Sequence, residues 1–277
     1  MNDKVWFITG ASTGFGRCLV DMLLQRGSRV VATARDVSKL SNNSALENLL
    51  EVHLDVTVPE TIVKGLEAAI KRFGRIDVLV NNAGFGLIGA VEEISDAEAR
   101  RLFDTNVFGL LNVTRAVLPV MRAQASGIVV NMGSVAGLVA VAGGGIYGAT
   151  KFAVEGISDA LAQEVAPLGI DVMIVEPGPF RTDAHGRSLV LAETQLDAYA
   201  STSGARRKML ETHSGMQPGD PDKAAALIID IVQSGDLPGR LPLGGVALDL
   251  ARAKFARVLA DFDLVEARSR ATSFTLE

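Results

Sequence analysis

A chain of 277 residues with a single cysteine, Cys18, can close no internal disulfide, and such scarcity of thiols fits a reducing cytoplasm better than a secreted fold. Histidine is nearly as rare. His53, His185 and His213 lie far apart and follow none of the short spacings that bring imidazoles to one ion, so no metal centre is expected. Positive charge is not in excess either: the net charge is −5, which argues against nucleic acid or an anionic membrane as partner. The opening MNDKVWFITG turns apolar for too few residues to read as a signal segment. The most apolar later stretch, 128–149, is interrupted by Asn131, Ser134 and several glycines and does not read as a membrane span. No Pro/Ser-rich linker and no repeat divides the chain. Tyrosine occurs twice, at Tyr147 and Tyr199, so each position carries information.

What is present is an ordinary core-forming composition, 48% hydrophobic and 21% charged. Short β-branched runs at 5–9, 29–33, 51–56, 76–81, 127–132 and 171–176 alternate with helical patterns at 14–27, 37–49, 59–73, 96–124 and 147–168. The strands are nearly continuous in apolar residues, as strands covered on both faces must be. Gly27, Gly74 and Gly169 stand where helices should stop. A helix over 220–234, a short strand near 240–243 and a last helix from about 246 complete the chain. The alternation predicts an α/β fold: one doubly wound Rossmann domain with a mostly parallel, seven-stranded sheet and helices on both faces. Residues 1–178 would form the core and 221–277 the closing helices and strand. The irregular insertion between them, 179–220, follows the sixth strand, where such sheets have their ligand crevice, and is expected to be a substrate lid.

Gly10, Gly14 and Gly16 in ITGASTGFGR follow the first strand and open the first helix. Glycines there let the backbone turn tightly and approach a pyrophosphate held on the helix N-terminus. The spacing is G-x-x-x-G-x-G rather than G-x-G-x-x-G. With it come NNAG at 81–84, Asn106 in DTNVFG, Ser134 in NMGSVAG, Tyr147 and Lys151 in YGATK, Pro177-Gly178, and Thr182. These motifs, in this order, resemble the short-chain dehydrogenase/reductase family, strongly over residues 4 to about 180 and only in outline beyond.

The resemblance implies a nicotinamide dinucleotide cofactor. Ser12, Thr13 and Phe15 would join the three glycines around its phosphates, Asp55 and Val56 would lie by the adenine, and Asn82, Ala83 and Gly84 would run along the adenosine ribose. Asn81 would tie neighbouring strands together. Pro177, Gly178 and Thr182 would hold the nicotinamide end. An acid at the end of the second strand would accept from a ribose 2′-OH, whereas a guanidinium suits a 2′-phosphate. Here Ala34 stands at the acid's position and Arg35 follows, so NADP(H) is preferred over NAD(H). Asp36 is expected to point away or to cap the next helix.

Tyr147 and Lys151, at i and i+4, share a helix face. An unperturbed phenol titrates near 10, so acid/base work at neutral pH asks for a fall of roughly 3 units, about 4 kcal/mol. An ammonium one turn away, together with the positive nicotinamide ring of the oxidised complex, has the right sign to favour the phenolate, and Lys151 is expected to lower the Tyr147 pKa. By resemblance, Lys151 also bonds the nicotinamide ribose, Ser134 donates to the substrate oxygen, and Asn106 holds a water that passes protons to Lys151. A Ser–His–Asp hydrolase is not supported, because no histidine lies near Ser134. Cys18 is expected to be packing.

The insertion mixes Phe180, Leu189, Val190, Leu191, Leu196 and Tyr199 with Arg181, Arg187, Arg206 and Arg207. The chain resembles the branch of the family that acts on steroid- or retinoid-like carbonyls, the 17β-hydroxysteroid and retinol dehydrogenases. That implies a carbonyl reductase with a small hydrophobic ketone, aldehyde or alcohol as substrate. A cofactor-binding regulator without turnover, or a dehydratase or epimerase on the same scaffold, is the alternative. The resemblance also implies a homodimer or homotetramer paired through the 96–124 and 147–168 helices. Their apolar residues, among them Leu102, Val107, Leu110, Val113 and Val117, could equally serve the internal core.

Overall fold

The computed structural model describes residues 4–40, 46–182 and 189–274. In chain order its elements are β1 (Val5–Ile8), α1 (Gly14–Gln25), β2 (Arg29–Ala34), β3 (Leu49–His53), α2 (Pro59–Phe73), β4 (Val78–Asn81), β5 (Gly86–Ile88), α3 (Asp96–Phe103), α4 (Leu110–Gln124), β6 (Gly127–Met132), α5 (Gly145–Val165), β7 (Ile170–Pro177), β8 (Leu189–Leu191), α6 (Ala205–Thr212), α7 (Pro221–Ser234), β9 (Arg240–Leu243) and α8 (Gly245–Arg270). The main sheet has seven strands in the order β3-β2-β1-β4-β6-β7-β9. Every pair in it is parallel. This is the expected Rossmann-type architecture.

Successive strand residues point to opposite faces, and the two cores follow that alternation. Trp6 and Ile8 face α1 and α7, packing with Leu19, Leu23, Ile228 and Ile229. Val5 and Phe7 face α2, α4 and α5, packing with Ile62, Val113, Val117 and Leu161. Both faces are therefore dry, which explains the unbroken apolar runs. Helix ends follow local chemistry. Pro59 opens α2 and Gly74 closes it at φ 76°, while Ser95 and Glu98 form a reciprocal capping box at the start of α3. Among the described residues no helix is long and apolar enough to cross a membrane.

Three expectations need correction. The helix expected over 37–49 is only the turn Val37–Lys39, capped by Asp36, and Leu49 already pairs with Val30 of β2. Sheet pairing there outweighs local helical pattern; residues 41–45 lie outside the described set. The helix expected over 96–124 is interrupted at Asp104–Gly109 by a wider, π-type turn. Close packing accompanies the break, since a Cβ on Gly109 would stand 2.5 Å from Val56 Cγ2. Finally, the insertion is not irregular throughout. Leu189 pairs with Gly86 in a separate two-stranded sheet of β5 and β8, and α6 follows. His185 and Arg187 lie outside the described residues.

Candidate active site

The strand order reverses between β1 and β4, so a crevice opens beyond their C-terminal ends. The glycine loop fills one side of it. Gly10 adopts φ 64°, and a Cβ there would lie 2.8 Å from Ala83 Cα; on Gly16 a Cβ would lie 2.5 Å from both Asn82 Nδ2 and Gly10 O. Only glycine permits this approach. The contact is locked by hydrogen bonds, because Asn82 Nδ2 donates to Thr9 O and Gly10 O, each at 2.9 Å. Thr9 Oγ1 accepts from the Asn82 and Ala83 amides at 3.0 Å. The Asn82 side chain thus shapes the loop from behind and has no donor left for a ligand. Gly14 differs: its nearest neighbour across the gap is Thr182, 3.6 Å from where a Cβ would be. Thr13 caps α1 without a side-chain hydrogen bond, leaving the first-turn amides open. Ser12, Thr13, Gly14, Arg17, Arg181 and Thr182 line a cleft of about 170 Å³ there. Free amides, a helix N-terminus and two guanidinium groups fit a pyrophosphate.

Phe15 packs edge-on against Phe180 with centroids 5.2 Å apart, joining the glycine loop to the strand after Pro177. Gly178 is fixed by donating to Leu243 O at 3.0 Å. Arg35 is exposed at the end of β2, and its guanidinium binds no described residue. Asp36 turns back on its own loop, accepting from the Ser38 amide and hydroxyl and pairing with Lys39 at 3.0 Å. These bonds lower its pKa, Ser38 contributing most. Asp55 Oδ1 accepts from the Thr57 amide at 2.9 Å and the Thr57 hydroxyl at 2.7 Å. Val56 is buried against Gly109, so its side chain belongs to the core.

Across the crevice, Ser134 follows β6 by two residues and α5 carries Tyr147 and Lys151 in its first two turns. Ser134 Oγ accepts from the Ala136 amide at 3.1 Å and lies near enough to the Tyr147 phenol to lower its pKa. Lys151 Nζ donates to Met132 O at 2.7 Å and lies 5.9 Å from the centroid of the Tyr147 ring. The three expected side chains converge. Their electrostatics do not follow the simple expectation. Burial pushes the Tyr147 phenol above its ordinary value, and Ser134 offsets this only in part. Burial also drives Lys151 down to about 8, opposed by the Glu155 charge. Desolvation penalises whichever form of each group is charged, and at Tyr147 it outweighs the Ser134 contribution.

Asn106 is tied into the site floor through its side chain. Its Nδ2 donates to Phe85 O at 2.9 Å and to Thr150 Oγ1 at 3.2 Å, while its Oδ1 accepts from the Phe85 amide at 3.0 Å. Both side-chain donors are spent on protein, so the side-chain amide props the Gly84–Phe85 backbone. A Cβ on Gly84 would come within 3.0 Å of Asn106 Oδ1. Asn81 does bridge elements, donating to Thr114 at 2.8 Å and Asn131 at 2.9 Å. Cys18 is half-buried with its thiol pushed up to about 12 by burial and by Asp222, an unreactive neutral group.

The family model for short chain dehydrogenases matches residues 4–189. The chain belongs to the short-chain dehydrogenase family. A 3-ketodihydrosphingosine reductase of Bacteroides thetaiotaomicron is 38% identical over 245 residues, 88% of this chain and 89% of that protein. The crystal structure of a short-chain dehydrogenase from Streptomyces avermitilis is 43% identical, covers 98% of this chain and 100% of its own, and superposes with a TM-score of 0.91. The closed form of serine dehydrogenase complexed with NADP+ is 29% identical over 86% of this chain and 94% of that one, with a TM-score of 0.72. As a family member, the protein is a dehydrogenase/reductase acting on alcohol and carbonyl groups.

Two groups of residues around this dehydrogenase site were not singled out from the sequence. Glu93 is buried at the base of the insertion and accepts from the Ala90 and Leu196 amides at 2.7 and 3.0 Å, from Ser203 at 2.7 Å and from Arg207 at 2.7 and 3.1 Å. The Arg207 bond, first among these, holds its carboxyl far below the usual range. Arg207, one of the arginines of the insertion, is a buried strut. The strut carries the turn at Ser203 over the approach to Tyr147, where a Cβ on Gly143 would lie 3.1 Å from Ser203 Cα. Nothing local could reveal a partner 114 residues away. The second group was more legible. Glu155 and Asp159 continue the Tyr147–Lys151 ladder at i+8 and i+12, and both meet Arg240 of β9 together with Glu176. Burial and the Glu176 charge raise Glu155 to about 7.

Proposed function

We propose that the protein is an NADP(H)-dependent oxidoreductase that interconverts a hydrophobic ketone or aldehyde and its alcohol. The observation that carries this reading is the meeting of Tyr147, Ser134 and Lys151 across a crevice from a glycine loop whose helix amides are uncapped. The loop and cleft fit the cofactor's phosphates, and the Arg35 guanidinium, which binds none of the described residues, suits a 2′-phosphate. The NADP+ bound to serine dehydrogenase is consistent with this preference.

When bound, the nicotinamide supplies or accepts the hydride. The chain's own residues handle the oxygen. In reduction, Tyr147 gives its hydroxyl proton to the carbonyl oxygen as charge develops there, and in oxidation it takes the alcohol proton. Ser134 donates a hydrogen bond to the same oxygen, in the manner of an oxyanion-hole donor. Lys151, anchored by Met132 O, holds its ammonium over the ring and provides the positive charge that a desolvated phenolate needs. Asn106 and Thr150 keep the Phe85 backbone in place beneath this set. The Glu93–Arg207 strut holds the described part of the insertion beside the site, and the partly exposed Leu189–Leu191 offers apolar contacts there. The reductase of 3-ketodihydrosphingosine similarly bears the name of a long-chain ketone, which favours an apolar substrate here. Helices α4 and α5 would pair subunits in a homodimer or homotetramer.

The test is NADPH oxidation, followed at its absorbance, against steroid-like, aromatic and long-chain ketones and aldehydes, with NADH in parallel. Turnover with an apolar carbonyl that is lost in Tyr147→Phe is expected. Binding of NADPH without oxidation by any of these, or unchanged turnover in Tyr147→Phe, would overturn the reading. Conversion of substrate without net cofactor oxidation would point to dehydration or epimerisation instead.

A further inference from the structure

Lys151 is buried, and an ammonium in a dry site needs something in the fold to favour its charge. The next turn of its own helix supplies this. α5 lays a buried polar line along the end of β6. Ser158 Oγ accepts from Asn131 Nδ2 at 2.8 Å, Lys151 Nζ donates to Met132 O at 2.7 Å, and Glu155 lies against Gly133. A Cβ on Gly133 would stand 3.0 Å from Glu155 Oε1, and one on Gly137 would stand 3.1 Å from the same oxygen. The carboxyl is therefore seated against the loop that carries Ser134, with 6% of the residue exposed. Its Oε2 accepts from Arg240, which also pairs with Glu176 at 3.0 Å and with Asp159 at 2.6 Å. Its Oε1 is sealed from solvent and accepts from none of the described residues.

The balance of charge says what this carboxylate serves. Glu155 and Glu176 are both buried, and the Arg240 guanidinium, half-open to solvent, can neutralise one of them. Asp159 draws on the same guanidinium from the exposed end. The second cation is Lys151, four residues before Glu155 and on the same helix face. Among the described residues, Glu155 supplies the charge that opposes loss of the ammonium's proton. The other ionisable groups around α5 stand apart. Tyr147 is held neutral by burial, Asp96, Arg100, Arg101 and Asp104 on α3 and the turn after it are exposed, and Glu98 is spent on its capping box. Glu155 ionises at about 7 and Lys151 loses its proton at about 8, so the two are charged together between those values.

We propose that Glu155 is a positioning residue for the reaction: its carboxylate, clamped between Arg240 and the 133–137 loop, is the counter-charge that keeps Lys151 a cation beside Tyr147. The inference rests on the roles proposed above for Tyr147 and Lys151. Its test is an NMR titration of the full-length, cofactor-free protein isotopically labelled at the lysine ε carbons, the Lys151 signal being identified by its loss in Lys151→Met. In the wild type that signal should titrate at about 8. Glu155→Gln, which keeps the shape and removes the charge, should lower it by roughly one unit or more. Glu155→Asp, which keeps a charge, and Asp159→Asn, which disturbs Arg240 from the solvent side, should leave it near the wild-type value. A cooperative thermal melt verifies that each variant is folded. NADPH oxidation by a carbonyl compound accepted in the panel above should follow the titration. Relative to the wild type, Glu155→Gln should lose about 5-fold at a pH of about 8 and hardly change at about 6, as a one-unit fall in the lysine pKa dictates. An unmoved Lys151 signal in Glu155→Gln, an equal fall in Glu155→Asp or Asp159→Asn, or a loss of turnover equal at both pH values would overturn the inference. Turnover retained in Tyr147→Phe, or no carbonyl accepted, would instead overturn the reading of the function, and the titration would still decide the role of Glu155.

Discussion

Replacing Lys151 by methionine should abolish turnover and yet leave the cofactor-free protein at least as stable near neutral pH. The ammonium is buried, and burial takes it from 10.5 to about 8. At about 1.4 kcal/mol per pH unit the fall corresponds to roughly 3 kcal/mol carried by the folded state whenever the lysine is charged. Methionine fills a similar volume without charge, but it leaves Met132 O, now bonded at 2.7 Å, without its donor, which costs about 1–3 kcal/mol. The net change at pH 7 is thus between about zero and 2 kcal/mol of stabilisation. The pH dependence separates this account from mere repacking. Because the folded pKa is depressed below the unfolded one, the unfolded state binds more protons between pH 8 and pH 10.5. Wild-type stability therefore rises with pH through that window, while below pH 8 the cost is present in full. Lys151→Met lacks this slope, so the difference between the two should turn toward the wild type by roughly 3 kcal/mol from pH 7 to pH 10.5. Urea unfolding at pH 7, 8.5 and 10 measures it. A variant several kcal/mol less stable at pH 7, or a difference that does not move with pH, would show that the ammonium is not desolvated as described.

Three further outcomes follow from the same geometry. Arg35→Glu should lower kcat/KM for NADPH about 10- to 100-fold relative to NADH, the loss of one or two charge-assisted hydrogen bonds; an unchanged cofactor ratio would remove Arg35 from recognition of the 2′-phosphate. Arg207→Ala leaves the Glu93 carboxylate buried without its counter-charge, a disruption worth about 3–5 kcal/mol in such pairs. Its first effect should be on the insertion, raising KM for an apolar substrate by 10-fold or more while NADPH binding holds, whereas a loss confined to Tm with KM intact would deny the strut its place at the site. Glu155→Gln should stabilise the protein at pH 8 and lose that advantage toward pH 4.5. The folded pKa is raised, so the stability that protonation brings is present below the unfolded value and lost as pH rises through about 7. Thermal melts at the two pH values read this directly.

Residues close in sequence were legible because their interactions are periodic. The unbroken apolar run at 5–9 marked a strand covered on both faces; Pro59 and Gly74 bounded α2; four-residue spacing put Tyr147 and Lys151 on one face. The order of motifs from Gly10 to Thr182 was enough to anticipate the family. Folding decided what depends on distant atoms. Asn106 looked like a mid-helix residue until the wide turn at Asp104–Gly109 bound its amide to Phe85. Arg207 looked like one of several surface arginines until Glu93, far away in the chain, claimed it. Even the sign of the change at Tyr147 was set by burial, which no local spacing encodes: a desolvation energy sums over every atom that displaces water from a group, and the chain brings those atoms from β6, α5 and the insertion only when it folds.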